Sequence, residues 1–255
     1  MRLFAHGIYY SYAPGGFALR RASLGLGEGE VLFLLGPNGS GKTTLLECLG
    51  GLRRPAGGRV LLGDLDLYSL PSAERARAIA YVPQLHRPVF GYRVEEVVLL
   101  GRAPHLKTFS TPRRRDREIA RRALAGVGLE HLAGRPYTEL SGGELRLVLV
   151  ARGLAQGAHF LLLDEPDAHL DPKNRHRVLG LLGDLAAGGR GVLVTTHDPN
   201  AALRYAQRVA LLSGGEVLAE GPTDRVLVPE QLSRAYGLSF SLLRGEDGQR
   251  ALVPS

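Results

Sequence analysis

The sequence predicts an α/β fold, a mostly parallel sheet covered on both faces by helices and interrupted by a helical insert. Three observations carry this. Short continuous apolar runs such as "VLFLL", "FLLL" and "GVLV" read as strands buried on both faces. Segments with helical spacing alternate with these strands, which argues for parallel pairing through crossovers. From Leu85 to about Ala155 the strand signal fades and helical spacing takes over.

Taken in order, "LFAHGIYYSY" and "GFALRRASLGL" read as strands and turns, and "GEVLFLL" as a buried strand. A helix follows at "KTTLLECLGGL", and "GRVLLGDLDLYSL" returns to strand and turn. "SAERARAIA" reads as a helix with Ser72 at its N-cap, and "AYVPQ" as a strand stopped by Pro83. The insert carries three helical segments, "VEEVVLLGR", "RRRDREIARRALAGVG" and "GELRLVLVARGLAQ". Strands resume at "HFLLLDEP", "GVLVTTHD" and "RVALLSGGEVLAEG", with helices at about Lys173–Ala187 and Asn200–Ala206. The chain is expected to be one unit, with 1–84 and 156–255 as the α/β core and 85–155 as the helical insert.

Composition narrows the class. The chain has 255 residues, enough for a sizeable core, and its 44% hydrophobic and 22% charged content fits a soluble globular protein. The single cysteine, Cys48, excludes an intramolecular disulfide framework and fits a reducing compartment. The N-terminus lacks an apolar run of signal-peptide length, and the apolar runs are too short to span a bilayer. A cytoplasmic protein is expected. The net charge of +7 raises the question of an anionic partner. In the densest basic cluster, "TPRRRDREIARR", acids interrupt the bases as on the solvated face of an amphipathic helix.

The chemistry starts at "GPNGSGKTT": Gly36, Pro37, Asn38, Gly39, Ser40, Gly41, Lys42, Thr43 and Thr44. The stretch matches G-x-x-x-x-G-K-[ST] between a buried strand and a helix. Its glycines let backbone N–H groups converge on phosphate oxygens, and the helix N-terminus adds partial positive charge. Lys42 is expected to reach the β- and γ-phosphates, and the Thr43 hydroxyl to bind Mg²⁺. At "LLLDEP", Asp164 is expected to end a strand beside this loop and hold Mg²⁺ through water. Glu165, turned elsewhere by strand alternation, is placed to orient or deprotonate the attacking water. His197 ends another strand in "TTHD" and could hold the γ-phosphate and the water. Gln84 in "YVPQ" could touch both metal and water. Taken alone, these last two stretches favour a loop histidine and an ordinary polar glutamine.

The tetrapeptide SGGE occurs twice. Ser141, Gly142, Gly143 and Glu144 open an apolar helical segment, with Ser141 and Glu144 spaced as a capping box. The result is an exposed helix N-terminus suited to an anion. Ser213–Glu216 lies between two strand-like runs and reads as a hairpin turn, with its glycines serving the turn.

Together, "GPNGSGKTT", "YVPQ", "LSGGE", "LLLDEP", "HLD" and "TTHD" resemble the nucleotide-binding subunit of an ATP-binding cassette (ABC) transporter over essentially the whole chain. The resemblance implies a P-loop NTPase of ABC type with an N-terminal antiparallel β subdomain. It implies ATP and Mg²⁺ as ligands and a head-to-tail homodimer. In such a dimer the phosphate loop of one copy and residues 141–144 of the other hold each ATP. It further implies Tyr12 as the aromatic on adenine, with Tyr9 and Tyr10 as alternatives, Gln84 as the Q-loop residue, Asp171 as the D-loop aspartate and His197 as the switch histidine. A narrower likeness, carried by "AERARAIAYVPQ", "VVLLGRAPHL", "DEPDAHLDPKN" and "GPTDRVL", is to importer ATPases for iron chelates, haem and cobalamin, a group with relatives that serve oxyanions such as molybdate. This implies a membrane permease and an extracytoplasmic binding protein as partners, a place on the inner face of the membrane, and no nucleic acid. Ribosome-acting relatives resemble tandem cassettes, and repair relatives carry a long coiled coil for which this chain has no room. Where the family usually has Gln-Arg-like polar residues after the signature, Arg146 and Leu147 stand here, and Pro199 replaces the commoner leucine.

Overall fold

The computed structural model describes residues 1–13, 15–84, 90–107, 110–168, 170–245 and 248–255. The buried runs form a six-stranded sheet from β3 (Val31–Leu35), β6 (Ile79–Val82), β7 (Phe160–Asp164), β8 (Gly191–Thr196), β9 (Arg208–Ser213) and β10 (Glu216–Pro222). Its order is β10-β9-β3-β8-β7-β6, parallel throughout except for β10, which returns antiparallel on β9. The strands are apolar on both faces because both faces are covered. Val31, Phe33, Leu35, Leu161, Leu163, Val192, Val194, Val209 and Leu211 join one core cluster. Their neighbours Leu32, Leu34, Phe160, Leu162, Leu193, Ala210 and Leu212 join the other.

The second cluster is closed by α1 (Lys42–Leu49) and by an antiparallel sheet. That sheet comprises β1 (Arg2–Ala13), β2 (Gly16–Gly27), β4 (Gly57–Leu62) and β5 (Leu65–Asp66), in the order β2-β1-β4-β5. The first cluster is closed by α5 (Gly142–Gln156), α6 (Pro172–Ala187) and α7 (Pro199–Tyr205). The same cluster runs on into the insert through α3 (Val94–Leu99) and α4 (Arg114–Gly126). Leu147 to Ala151 are all buried, which explains why α5 shows no polar face. Arg102 clamps the insert: its guanidinium pairs with Asp116 at 3.1 Å and donates to the Ala155 carbonyl at 2.8 Å, both within the protein interior.

Two details differ from the sequence expectations. The helix α2 (Ser72–Ala78) is capped by Pro71, and Ser72 is its first helical residue. The proline, at φ −56° and ψ 146°, ends the extended backbone one residue earlier. The C-terminal region adds α8 (Thr223–Val226), α9 (Pro229–Tyr236) and a hairpin of β11 (Phe240–Arg244) with β12 (Arg250–Pro254), none of which was anticipated. These elements are short, and each buries at most two side chains: Thr223 and Val226 in α8, Leu232 and Ala235 in α9, and Leu252 in β12. Among the described residues no helix is long and apolar enough to cross a membrane.

Candidate nucleotide-binding site

The loop between β3 and α1 is shaped by what surrounds it. A Cβ at Gly36 would lie 2.0 Å from the Leu212 carbonyl oxygen, and one at Gly41 would lie 2.4 Å from that of Ala18. Gly41 also sits at φ 105° as it caps α1, so only glycine fits there. The Lys42 ammonium donates to the Gly36 and Pro37 carbonyls at 2.8 and 3.1 Å, spanning its own loop. Burial lowers its pKa, while Glu165 and Asp164 act in the opposite sense. The Ser40 hydroxyl is buried and has no hydrogen-bond partner among the described residues. A buried hydroxyl and a buried cation at a helix N-terminus suit an anionic ligand.

A cleft of about 700 Å³ opens over this loop, lined by Tyr12, Phe17, Asn38, Lys42, Thr43, Gln84, Glu165 and His197 among others. Of the three tyrosines weighed from the sequence, Tyr12 lines the cleft, and its hydroxyl lies 2.9 Å from the Thr44 hydroxyl. Tyr10 packs on the core and accepts a hydrogen bond from Arg53, and Tyr9 lines a separate depression with Arg20 and Arg21. Phe17 is a second cleft aromatic that the sequence reasoning missed. The signal was the β1–β2 hairpin, which pairs Ser11 with Phe17 and so returns Phe17 to the end of the sheet that carries Tyr12.

The two adjacent carboxylates face different surroundings. Asp164 is 2% exposed; its Oδ1 accepts from the Thr195 hydroxyl at 2.6 Å and its Oδ2 from the Tyr81 hydroxyl at 3.4 Å. Glu165 is past the strand end at φ 42°, in the left-handed region, and its N–H donates to the Thr195 hydroxyl at 2.9 Å. A backbone turn, not strand alternation, aims its carboxylate. Such a conformation in a residue with a side chain costs free energy and clusters at functional sites. The Gln84 amide donates to Glu165 Oε2 at 2.8 Å, and His197 Nδ1 lies 3.5 Å from the same oxygen. Three residues far apart in sequence thus meet at one carboxylate oxygen beside Lys42.

Thr43, Gln84 and Asp164 offer oxygen, and among the described residues no group of three His, Cys, Asp or Glu side chains could bind an ion alone. That combination suits Mg²⁺, which keeps waters and takes phosphate oxygens as ligands.

Residues 141–144 form a complete capping box at the start of α5. The Ser141 hydroxyl donates to Glu144 Oε2 at 2.7 Å and the Ser141 N–H to the same oxygen at 2.8 Å, and these two bonds hold the Glu144 carboxyl below its usual range; the Glu144 N–H donates back to the Ser141 hydroxyl at 3.4 Å. None of the four lines the cleft. Asp171 caps α6, accepting from the Asn174 N–H at 2.9 Å, and a Cβ at Gly143 would strike the Asn174 side chain, so the signature and the start of α6 adjoin. His169 of the "HLD" stretch lies outside the described residues. The second SGGE is a hairpin turn, with Gly214 at φ 56° and Gly215 at φ 84°. It is not remote from the site: Gly215 N–H donates to the Ser40 carbonyl at 3.1 Å and its carbonyl accepts from Arg20 N–H at 2.8 Å.

The family model described as "ABC transporter" matches residues 19–168. The hemin import ATP-binding protein HmuV of Gloeobacter violaceus is 43% identical over 90% of this chain and 86% of its own length. The protein of the same name from Pseudomonas fluorescens is 47% identical over 82% and 83%. A solved inward-facing conformation described as a metal-chelate type ABC transporter superposes at TM-score 0.87, with 33% identity over 99% of this chain and 97% of that one. A dimeric bacterial ABC transporter cassette superposes at 0.74, with 30% identity over 87% and 98%.

Proposed function

This chain belongs to the ABC transporter family as an ATP-hydrolysing importer subunit, and from that premise we propose that it powers uptake of haem or a related metal chelate through a separate permease. The substrate class rests on the relatives named for hemin import and on the metal-chelate transporter structure.

In this reading the loop amides and Lys42 grip the β- and γ-phosphates, with Lys42 exchanging its bonds to the Gly36 and Pro37 carbonyls for phosphate oxygens. Tyr12 and Phe17 flank the base. Mg²⁺, when bound, neutralises charge on the phosphate oxygens, and Thr43, Gln84 and Asp164 would hold it. Glu165 orients the water and takes its proton, while His197 and Gln84 steady the γ-phosphate side. Two copies pair head to tail, so that residues 141–144 and Asp171 of each serve the ATP of the other. Residues 85–155 act as the unit that carries both the signature and the surface for the permease. Phe90 and Tyr92, exposed and edge-to-face at 5.9 Å, mark that surface; its neighbours 85–89 lie outside the described residues. An extracytoplasmic binding protein delivers the chelate, and the subunit sits on the inner membrane face.

The observation that carries the reading is the meeting of Gln84, Glu165 and His197 beside the phosphate loop. Glu165→Gln should leave ATP binding intact and lower turnover by roughly two to four orders of magnitude. Near-normal turnover would move the base elsewhere. With permease and binding protein in proteoliposomes, haem should stimulate the wild-type ATPase. Stimulation by molybdate instead would reassign the substrate.

A further inference from the structure

The residues after the signature hold a contact that the family motifs do not supply. Arg146, one turn into α5, is 8% exposed. Its guanidinium donates through Nη1 to the Pro83 carbonyl at 2.6 Å and through Nη2 to the Gln84 carbonyl. Two parallel N–H groups on two successive carbonyls fix a backbone more firmly than a single bond, and the planar guanidinium is suited to that fork. The amide of the same Gln84 donates to Glu165 Oε2 at 2.8 Å. A continuous path therefore runs from the signature helix through Arg146 and the Gln84 backbone to the base.

We infer that Arg146 is a positioning residue for hydrolysis, tying the signature helix to the backbone at Pro83–Gln84 so that α5 sets where the Gln84 amide meets Glu165. The inference rests on the reading of Glu165 as the base and goes beyond it by giving α5 a hold on that base within its own chain. Burying an arginine is costly, and two carbonyls offset that cost only while both are in reach. A shift of α5 by one hydrogen-bond length would break the fork or move Gln84 with it. An event at Ser141–Glu144 is thereby transmitted to Glu165 of the same chain.

The test is a double-mutant cycle on the full chain, with Arg146→Met and Gln84→Ala, singly and together, in steady-state ATPase assays. Arg146→Met should lower kcat about tenfold with KM for ATP within about twofold, because the reacting groups move while the phosphate loop is untouched. Arg146→Lys should recover part of the loss, since one ammonium cannot reproduce the fork. In the Gln84→Ala background, Arg146→Met should cost at most about twofold more, because its route to Glu165 has already been removed. If Arg146→Met does not fold, Arg146→Lys serves in the same cycle. Unchanged kcat in the Arg146 variants, or losses that multiply in the double variant, would overturn the inference. Failure of the underlying reading looks different: Glu165→Gln would then turn over ATP, whatever the cycle gives.

Discussion

Tyr12 illustrates what a single position can and cannot reveal in the sequence. Three tyrosines within four residues are equivalent by composition, and family spacing favoured Tyr12. The structure separates them by what each ring touches: cleft, core or an outer depression. Strand alternation could not decide, because β1 carries register shifts between Ala5 and Ala13. If Tyr12 stacks on adenine, Tyr12→Ala should raise the dissociation constant for ATP by about tenfold, a loss typical of base–aromatic stacking. Tyr12→Phe keeps the ring, loses only the contact with the Thr44 hydroxyl, and should stay within about threefold. Tyr9→Ala should bind as wild type. Fluorescent-nucleotide titration checks all three, and equal losses for Tyr9 and Tyr12 would remove Tyr12 from the site.

At the scale of elements, the two SGGE tetrapeptides show how context divides identical residues. One begins a helix with a capping box that engages the Ser141 and Glu144 N–H groups; the other bends β9 into β10. The sequence allowed that distinction because the flanking apolar runs differ in period. It could not disclose that the hairpin rests on the phosphate loop, since a contact between Gly215 and Ser40 is a product of tertiary folding. The two glycines should therefore respond differently. A Cβ on Gly214 meets open space, so Gly214→Ala should cost about 1 kcal/mol of stability from the positive φ alone and leave ATP affinity unchanged. A Cβ on Gly215 would lie 2.9 Å from the Ala18 carbonyl and 3.1 Å from Arg20 N. Gly215→Ala should disturb β2 and the loop, raising KM for ATP several-fold in addition to lowering the melting temperature. Equal effects on KM would detach the hairpin from the site. The buried strands and the longer helices α4, α5 and α6 were legible. Those set by few buried residues, such as α9 and the β11–β12 hairpin, were not. The left-handed turn at Glu165 was also hidden, because nothing in "LLLDEP" distinguishes a strand residue from one just beyond it.

At the scale of the whole molecule, the question is why a chain with one phosphate loop carries a second helix N-terminus shaped for an anion. The cleft is lined by Lys42, Gln84, Glu165 and His197, and residues 141–144 lie outside it. In the proposed head-to-tail pair the signature serves the ATP of the other copy, and this arrangement predicts complementation. One subunit carries Lys42→Ala, which removes the cation from the loop. The other carries Ser141→Arg, which places bulk at the signature and removes the cap of α5. Each homodimer has two damaged composite sites and should be nearly inactive. In the mixed dimer one site carries both lesions and the other none, so ATPase activity should return to at most about half of wild type if the sites act independently. Loss of the cap costs about 1 kcal/mol, so the melting temperature of the Ser141→Arg subunit is measured alongside to separate misfolding from a defective site. A subunit bearing both lesions, paired with wild type, supplies the control. Across the dimer it damages both sites, whereas a signature acting within its own chain would leave the wild-type site whole. Activity in that control dimer, with none in the complementing pair, would assign the signature to its own cleft and require a rearrangement that carries Ser141 into it.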